Sequence, residues 1–218
     1  MVRIRVRLLA AVAGVALASG AWRAQEPTHS FGADKPGAAP AGFTLGAWRQ
    51  PRAAPWTIRR AGTNGYLHHE AQPQAPGYAL AIAPSPAGRD IELSARLRLA
   101  GGGRAGGLVW RHRDDQNFYA AVLDLGRGQV ALWRVTAGNR VVLELEDDLE
   151  LDVDAWHVLK VRHDDNEVRV YLGGIRVFSE NDRRGGRESV SGRAGLIAQG
   201  DAEVWVDDLR ITPASRGQ

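Results

Sequence analysis

From Phe43 onward, short runs that alternate apolar and polar residues recur every eight to twelve residues or so, and this rhythm restricts the fold more than any other feature. The clearest runs are "DIELSARLRLA" (90–100), "GGLVWRHR" (106–113), "NFYAAVLDL" (117–125), "QVALWRV" (129–135), "RVVLELE" (140–146), "WHVLKVRH" (156–163), "EVRVYL" (167–172), "IRVFSE" (175–180), "RAGLIAQG" (193–200) and "AEVWVDDLRI" (202–211). Weaker ones are 56–59, 66–69 and 78–82. A period of two places alternate side chains on opposite faces of an extended chain, as in a half-buried strand. The connectors "GRG", "TAGN", "HDDNE", "LGG" and "QGD" supply the turn chemistry that antiparallel hairpins need. No segment past the first twenty-odd residues sustains a helical period, and 26 glycines suit tight turns better than helices. A dozen or more short strands without helices predict an all-β, two-sheet antiparallel jelly-roll sandwich with no major helix.

The start of the chain reads differently. Arg3, Arg5 and Arg7 precede the apolar run Leu8 to Ala18, and Ser19-Gly20-Ala21 offers small residues for cleavage. This three-part pattern predicts a signal peptide over 1–21, export to a periplasm or the extracellular space, and no membrane anchor. Residues 22–42, rich in Pro, Ala and Gly, read as an extended arm; 43–212 as one sandwich domain; 213–218 as a tail. Three of the 28 Lys and Arg lie in the leader, which leaves 25 against 25 Asp and Glu. The chain's pI near 9.7 is therefore no argument for nucleic acid, and none is expected as a partner. The absence of Cys excludes disulfides, Cys-zinc sites and thiol catalysis together. Stability must then come from packing, and roughly 190 residues suffice for one sizeable core.

Four segments in order carry a resemblance: "AGGLVWRHRDDQNFYAAVLD" (105–124), "VALWRVTAGNRVVL" (130–143), "LDVDAWHVLKVRHDDNEVRVYLGGIRVFSEND" (151–182) and "GRAGLIAQGDAEVWVDDLRI" (192–211). They resemble the concanavalin A-like lectin/glucanase superfamily, most closely its laminin-G-like and 3-keto-disaccharide hydrolase (DUF1080-type) domains. The resemblance spans about 31–212 and implies the same sandwich. Its members include sugar-binding modules, hydrolases and inert spacers, so it leaves the activity open.

The run "ELDVD" (150–154) tests the enzymatic option. Retaining glucanases of this superfamily carry Glu-x-Asp-x-Glu, and a retaining glycosidase needs two carboxyls about 5–5.5 Å apart. Glu150 and Asp152 fit that pattern, but Asp154 stands one methylene short. With Glu146, Asp147 and Asp148 beside it and Trp156 just after, the run reads better as an acidic turn whose Leu149, Leu151 and Val153 face inward. No catalytic residue is assigned. His68-His69-Glu70 resembles the opening of a zinc site, but Pro73 occupies the position of the second His, so a polar strand end is expected. Asp114-Asp115 and Asp164-Asp165 have the chemistry for Ca²⁺, yet adjacent Asp in hairpin turns more often bind their own backbone. Asp207-Asp208 reads as structural, and neither a metal nor another cofactor is expected.

Sugar recognition wants a flat ring against the pyranose C–H face and a few fixed hydroxyl partners. Arg111, Asn117, Tyr119 and Trp133, on neighbouring strands, are the candidate ligand-binding residues, against the competing reading that such residues fill the core. Trp156 and Trp205 are expected in the core. The leading expectation is a carbohydrate-binding module without turnover, its ligand a carbohydrate or glycoside. A glycoside hydrolase or lyase of the 3-keto-disaccharide hydrolase type, or a structural laminin-G-like module, are the alternatives. Oligomeric state stays open.

Overall fold

The computed structural model describes residues 29–50, 55–72, 75–85, 87–183 and 191–214; the expected leader lies outside them. The described residues form fourteen strands: β1 (Thr44–Trp48), β2 (Trp56–Ala61), β3 (Asn64–His69), β4 (Tyr78–Ile82), β5 (Ile91–Gly101), β6 (Ala105–Asp114), β7 (Asn117–Asp124), β8 (Gln129–Thr136), β9 (Asn139–Glu146), β10 (Trp156–Asp164), β11 (Glu167–Leu172), β12 (Ile175–Asn181), β13 (Arg193–Gln199) and β14 (Ala202–Pro213). They form two seven-stranded antiparallel sheets: a front sheet in the order β1-β4-β13-β6-β7-β8-β9 and a back sheet in the order β12-β11-β10-β5-β14-β3-β2. This is the expected β-sandwich. Among the described residues no helix is long and apolar enough to cross a membrane.

The centre of the back sheet keeps period two, most clearly in β5 and β11. In β5, Ile91, Leu93, Ala95, Leu97 and Leu99 are buried, while Glu92, Ser94, Arg96 and Arg98 between them are partly exposed. The buried set packs between the sheets against Leu108, Ala121, Leu123, Leu132, Leu196 and others. Each fully buried Leu there contributes about 1.5–3 kcal/mol relative to exposure. His29 pairs with Leu209 in an isolated bridge and Phe31 joins this core, so the described part of 22–42 lies against the domain.

The front sheet breaks the alternation because it is covered on both faces. β6, β7 and β8 are buried almost continuously. Their second set of buried residues, Val109, Phe118, Ala120, Val122, Ala131, Trp133 and Val135, joins Trp48, Leu80, Ile82 and Ile197 in a separate apolar cluster on the outer face. The sheet curls to make this possible. Tyr78 on β4 and Trp133 on β8 are four strand spacings apart, about 19 Å if flat. Their ring centroids nevertheless lie 5.4 Å apart. Trp48 on edge strand β1 completes the cluster at 5.3 Å from Tyr78 and 6.2 Å from Trp133, and its Nε1 donates to Gly138 O in the β8–β9 turn at 3.3 Å.

Strand β1, which the period-two runs do not single out, is fixed by this closure. Asp115, in the β6–β7 turn, accepts Ala47 N at 2.9 Å, and a Cβ on Gly46 would fall 2.3 Å from Asp115 Oδ1. Glycine at the centre of β1 thus makes room for the carboxylate of a neighbour far away in sequence, at the expense of an alternating pattern.

Candidate binding groove

The hollow of the curled front sheet holds an open groove of about 460 Å³. Its floor is made of small or apolar side chains from adjacent strands: Ala105 (β6), Val122 (β7) and Ala131 (β8). Tyr78 and Trp133 meet edge to face in its lining, and Trp48 packs against both rings. Three turns contribute Gly102 and Gly103, Gly126 and Arg127, and Asp201; Asp124, Gln129, Arg140 and Gln199 complete the lining. The groove therefore combines two aromatic rings with two guanidiniums, two carboxylates and two amides.

Several of these groups are held in place. Arg140 Cζ sits 4.6 Å from the Trp133 ring centroid, which explains why that tryptophan is only 5% exposed although it lines an open groove. Burial pushes the Tyr78 phenol up, opposed by the Arg140 charge nearby. Asp124 accepts Arg127 N at 3.1 Å through Oδ1, and its Oδ2 lies 3.8 Å from Arg127 Nε. Asp201 Oδ1 is buried and has no hydrogen-bond partner among the described residues.

Of the four residues expected to bind ligand, only Trp133 lies in the groove. Arg111 and Tyr119 are in the interior between the sheets. Arg111 is 2% exposed and sits with left-handed φ (48°) where the β6–β7 register shifts after Trp110. That bulge turns the guanidinium inward, where Nε donates to Arg89 O at 2.8 Å and an Nη donates to Asp165 O at 2.9 Å. Tyr119 stacks on Trp110 and donates to Asp182 Oδ2 at 2.9 Å; burial, then the Asp182 charge, push its phenol up to about 12. Arg134 meets the same carboxylate at 2.6 and 2.7 Å. Trp110 Nε1 donates to His163 Nδ1 at 2.8 Å, and burial followed by the Arg111 charge pushes His163 down to about 3. Asn117 opens β7 next to the β6–β7 turn. It donates to Asp114 at 2.8 Å and accepts Ala137 N at 3.0 Å, which ties the β6–β7 turn to the β8–β9 turn.

Other expectations shift as well. Trp156 and Trp205 are not in the core; they lie on the outer face of the back sheet, with Arg96 4.9 Å over the first ring and Arg98 4.8 Å over the second. Guanidinium stacking and long aliphatic stems cover these rings without a protein layer above them. His68 and His69 close β3, at the strand end expected of them, and are buried there, bound to Glu203 at 3.0 Å and Ala202 O at 2.9 Å. Glu150, Asp152 and Asp154 are exposed and outside any strand; Asp154 has φ 64° and lies 3.9 Å from Arg98. They do not converge on the hollow. Leu149 and Leu151 pack on the core as expected, but Val153 is exposed.

The acidic pairs have donors of their own. Asp114 accepts Gln116 N, Asp115 accepts Ala47 N, Asp165 pairs with Arg89, and Asp207 accepts Asp208 N and Asn64 Nδ2. Among the described residues no three His, Asp or Glu side chains are grouped as a metal would need.

No family model and no curated protein sequence matches the chain. Solved structures do. The carbohydrate-binding module CBM66 from Bacillus subtilis superposes with a TM-score of 0.60 at 20% identity, covering 78% of this chain and 94% of that one. A protein of unknown function with a galectin-like fold, also from Bacillus subtilis, gives 0.57 at 12% identity over 81% and 91%. A putative glycosyl hydrolase from Parabacteroides distasonis gives 0.53 at 10% identity over 83% and 100%. The chain shares the sandwich of carbohydrate-binding modules and glycoside hydrolases, in keeping with a concanavalin A-like fold.

Proposed function

We propose that the protein is an exported carbohydrate-binding β-sandwich that holds its ligand in the front-sheet groove without turning it over. The observation that carries this reading is the groove's make-up: the Tyr78–Trp133 pair beside a mixed set of donors and acceptors. A sugar presents an apolar C–H face and a ring of hydroxyls, each of which both donates and accepts. Arg127, Arg140, Gln129 and Gln199 supply donors; Asp124, Asp201 and the amide oxygens supply acceptors. The two positive and two negative charges balance, which favours a neutral polyhydroxylated ligand over a polyanion. Similarity of fold to a carbohydrate-binding module supports the reading, and the leader pattern in 1–21 supports export.

The carboxylates support binding over catalysis. A glycosidase of the usual kind needs one carboxyl as acid and another as base or nucleophile. Asp124 Oδ1 accepts the Arg127 backbone N and its Oδ2 lies 3.8 Å from Arg127 Nε, whereas Asp201 keeps a buried Oδ1 with no hydrogen-bond partner among the described residues. That orphan oxygen is also the observation that favours the hydrolase reading. The test is to titrate the purified protein with a panel of neutral and acidic glycans, including oxidised disaccharides, following tryptophan fluorescence and product release. Saturable binding of a neutral sugar without products is expected. Products that disappear in Asp201→Asn would install the hydrolase reading instead, and no response to any glycan would leave a structural or protein-binding module.

A further inference from the structure

The four edge strands of the sandwich are finished differently. β2 is capped by the arm: Ile58 N donates to Ala38 O and Gly37 N to Ile58 O, each at 2.8 Å. In β1, Ala47 N donates to Asp115 Oδ2 at 2.9 Å and Trp48 Nε1 reaches Gly138 O. β12 sets Val177 and Phe178 against the core. β9 has only β8 beside it, and among the described residues no backbone group of another segment bonds its far edge. No Pro or Lys interrupts it, although these are common guards of a bare edge. Val141 and Val142 are each 47% exposed and Leu145 39%.

The Leu145 amide shows what this edge accepts. It donates to its own Glu144 Oε1 at 3.0 Å, so it points away from β8, and the carboxylate fills the place that a carbonyl of a further strand would take. The two faces of β9 differ as well. Leu145 stands opposite Ala131 and Val142 opposite Trp133, both of the outer apolar cluster. Glu144 stands opposite Leu132 and Glu146 opposite Val130, both of the core between the sheets. Directly opposed residues share a face, so around Leu145 the strand is apolar on the groove side and acidic on the other. The acidic side continues into the following loop: from Glu144 to Asp154 the chain has seven Asp and Glu and no Lys or Arg.

We infer that β9 receives an eighth strand from a partner protein: an extended segment that alternates apolar residues, set against Val142 and Leu145, with Lys or Arg, set against Glu144 and Glu146. Main-chain bonds to the bare edge supply affinity and the alternate side chains supply specificity. A second copy of β9 fits less well, because it would lay its own acidic run beside this one, and like charges across a strand pair are destabilising. The added strand would lie two spacings, about 10 Å, from β8, which places the partner at the rim of the groove. The site does not depend on what the groove holds.

The experiment titrates the whole protein with three blocked octapeptides: four Val-Lys repeats, the same peptide with Pro at its centre, and four Val-Glu repeats. The Val-Lys peptide should bind saturably and shift the Leu145 amide resonance, with affinity falling about fivefold or more as salt rises from about 0.05 to 0.5 M. The Pro-interrupted peptide should bind about tenfold more weakly, and the Val-Glu peptide not at all. Leu145→Pro, which removes the outward amide, should lose the Val-Lys peptide about tenfold or more while keeping its thermal transition. Should it unfold, Glu144→Lys combined with Glu146→Lys serves instead, and should exchange preference for the Val-Lys peptide with preference for the Val-Glu one. No saturable binding, equal binding of the two charge types, or wild-type binding by a folded variant would overturn the proposal. A dimer in sedimentation that Leu145→Pro abolishes would overturn it in favour of a second copy on this edge.

Discussion

The outer faces of the two sheets are built from similar residues and do opposite things with them. On the back sheet, Trp156, Arg98, Trp205 and His68 stand directly opposite one another across four strands, and each tryptophan is covered by an arginine that also reaches a carboxylate. The result is a convex-style solvated surface in which aromatic area is hidden by charge, residue by residue. On the front sheet, tryptophans and a tyrosine from strands up to five spacings apart meet in one cluster, because the sheet curls until they touch. There a concavity is lined by rings and polar groups together. The difference teaches that aromatic content alone does not make a hollow; curvature does.

The comparison can be broken from the inside outward. Asp182 neutralises Arg134 and accepts from Tyr119 in the interior. Asp182→Ala should therefore cost about 3 kcal/mol, by leaving the buried Tyr119 hydroxyl without its acceptor and the partly buried Arg134 without this carboxylate. Chemical denaturation checks this, and ligand affinity of the remaining folded protein should stay unchanged because neither Asp182 nor Tyr119 lines the groove.

Acid is the next largest lever. His163, pushed down to about 3, refuses a proton that the unfolded chain accepts near pH 6.5. Its neutral form contributes stability fully above pH 6.5, and that contribution falls by about 1.4 kcal/mol per unit as pH drops from 6.5 towards 3. Burial lowers His69 and His112 in the same direction. A pH series of denaturation midpoints should show this decline, and His163→Gln, which keeps an acceptor for Trp110, should flatten it by one proton.

Smaller effects separate the faces directly. Tyr78→Ala removes half of the groove's wall and should weaken sugar binding by about 1–2 kcal/mol, roughly tenfold, by isothermal titration. Trp156→Ala on the back face should leave affinity within twofold and stability within about 1 kcal/mol, the worth of an exposed ring–guanidinium contact. Equal losses from the two variants would erase the distinction between the faces.

How far the sequence carried these conclusions depends on where each residue's constraint comes from. The sandwich was legible because alternation and turn residues are local properties, and thirteen of the strands coincide with runs visible in the chain. β1 was not, since its Gly46 answers to Asp115, 69 residues away. In "NFYAAVLD" both parities are apolar, so alternation does not say whether Phe118 or Tyr119 faces the hollow. The bulge at Arg111 adds a further inversion that only its left-handed φ reveals. Trp133 was recognisable as a ring on a central strand. Tyr78, on a weaker run, and the groove residues of the glycine turns became candidates only once curvature brought β4 towards β8. The turn signals "GRG" and "QGD" were visible, and they contribute Gly126, Arg127 and Asp201 to the groove, but nothing local distinguishes them from turns elsewhere.

The central claim is that ligand seats in the front-sheet hollow, and the seven tryptophans provide a built-in report. Their indole N–H resonances, assigned by single Trp→Phe substitutions, can be followed while a binding sugar is titrated in. The indole of Trp133 should shift in a saturable way, with a smaller response from Trp48 behind it, while Trp156 and Trp205 stay still. Saturable shifts at Trp156 and Trp205 with Trp133 unmoved would place the ligand on the opposite face and contradict the account.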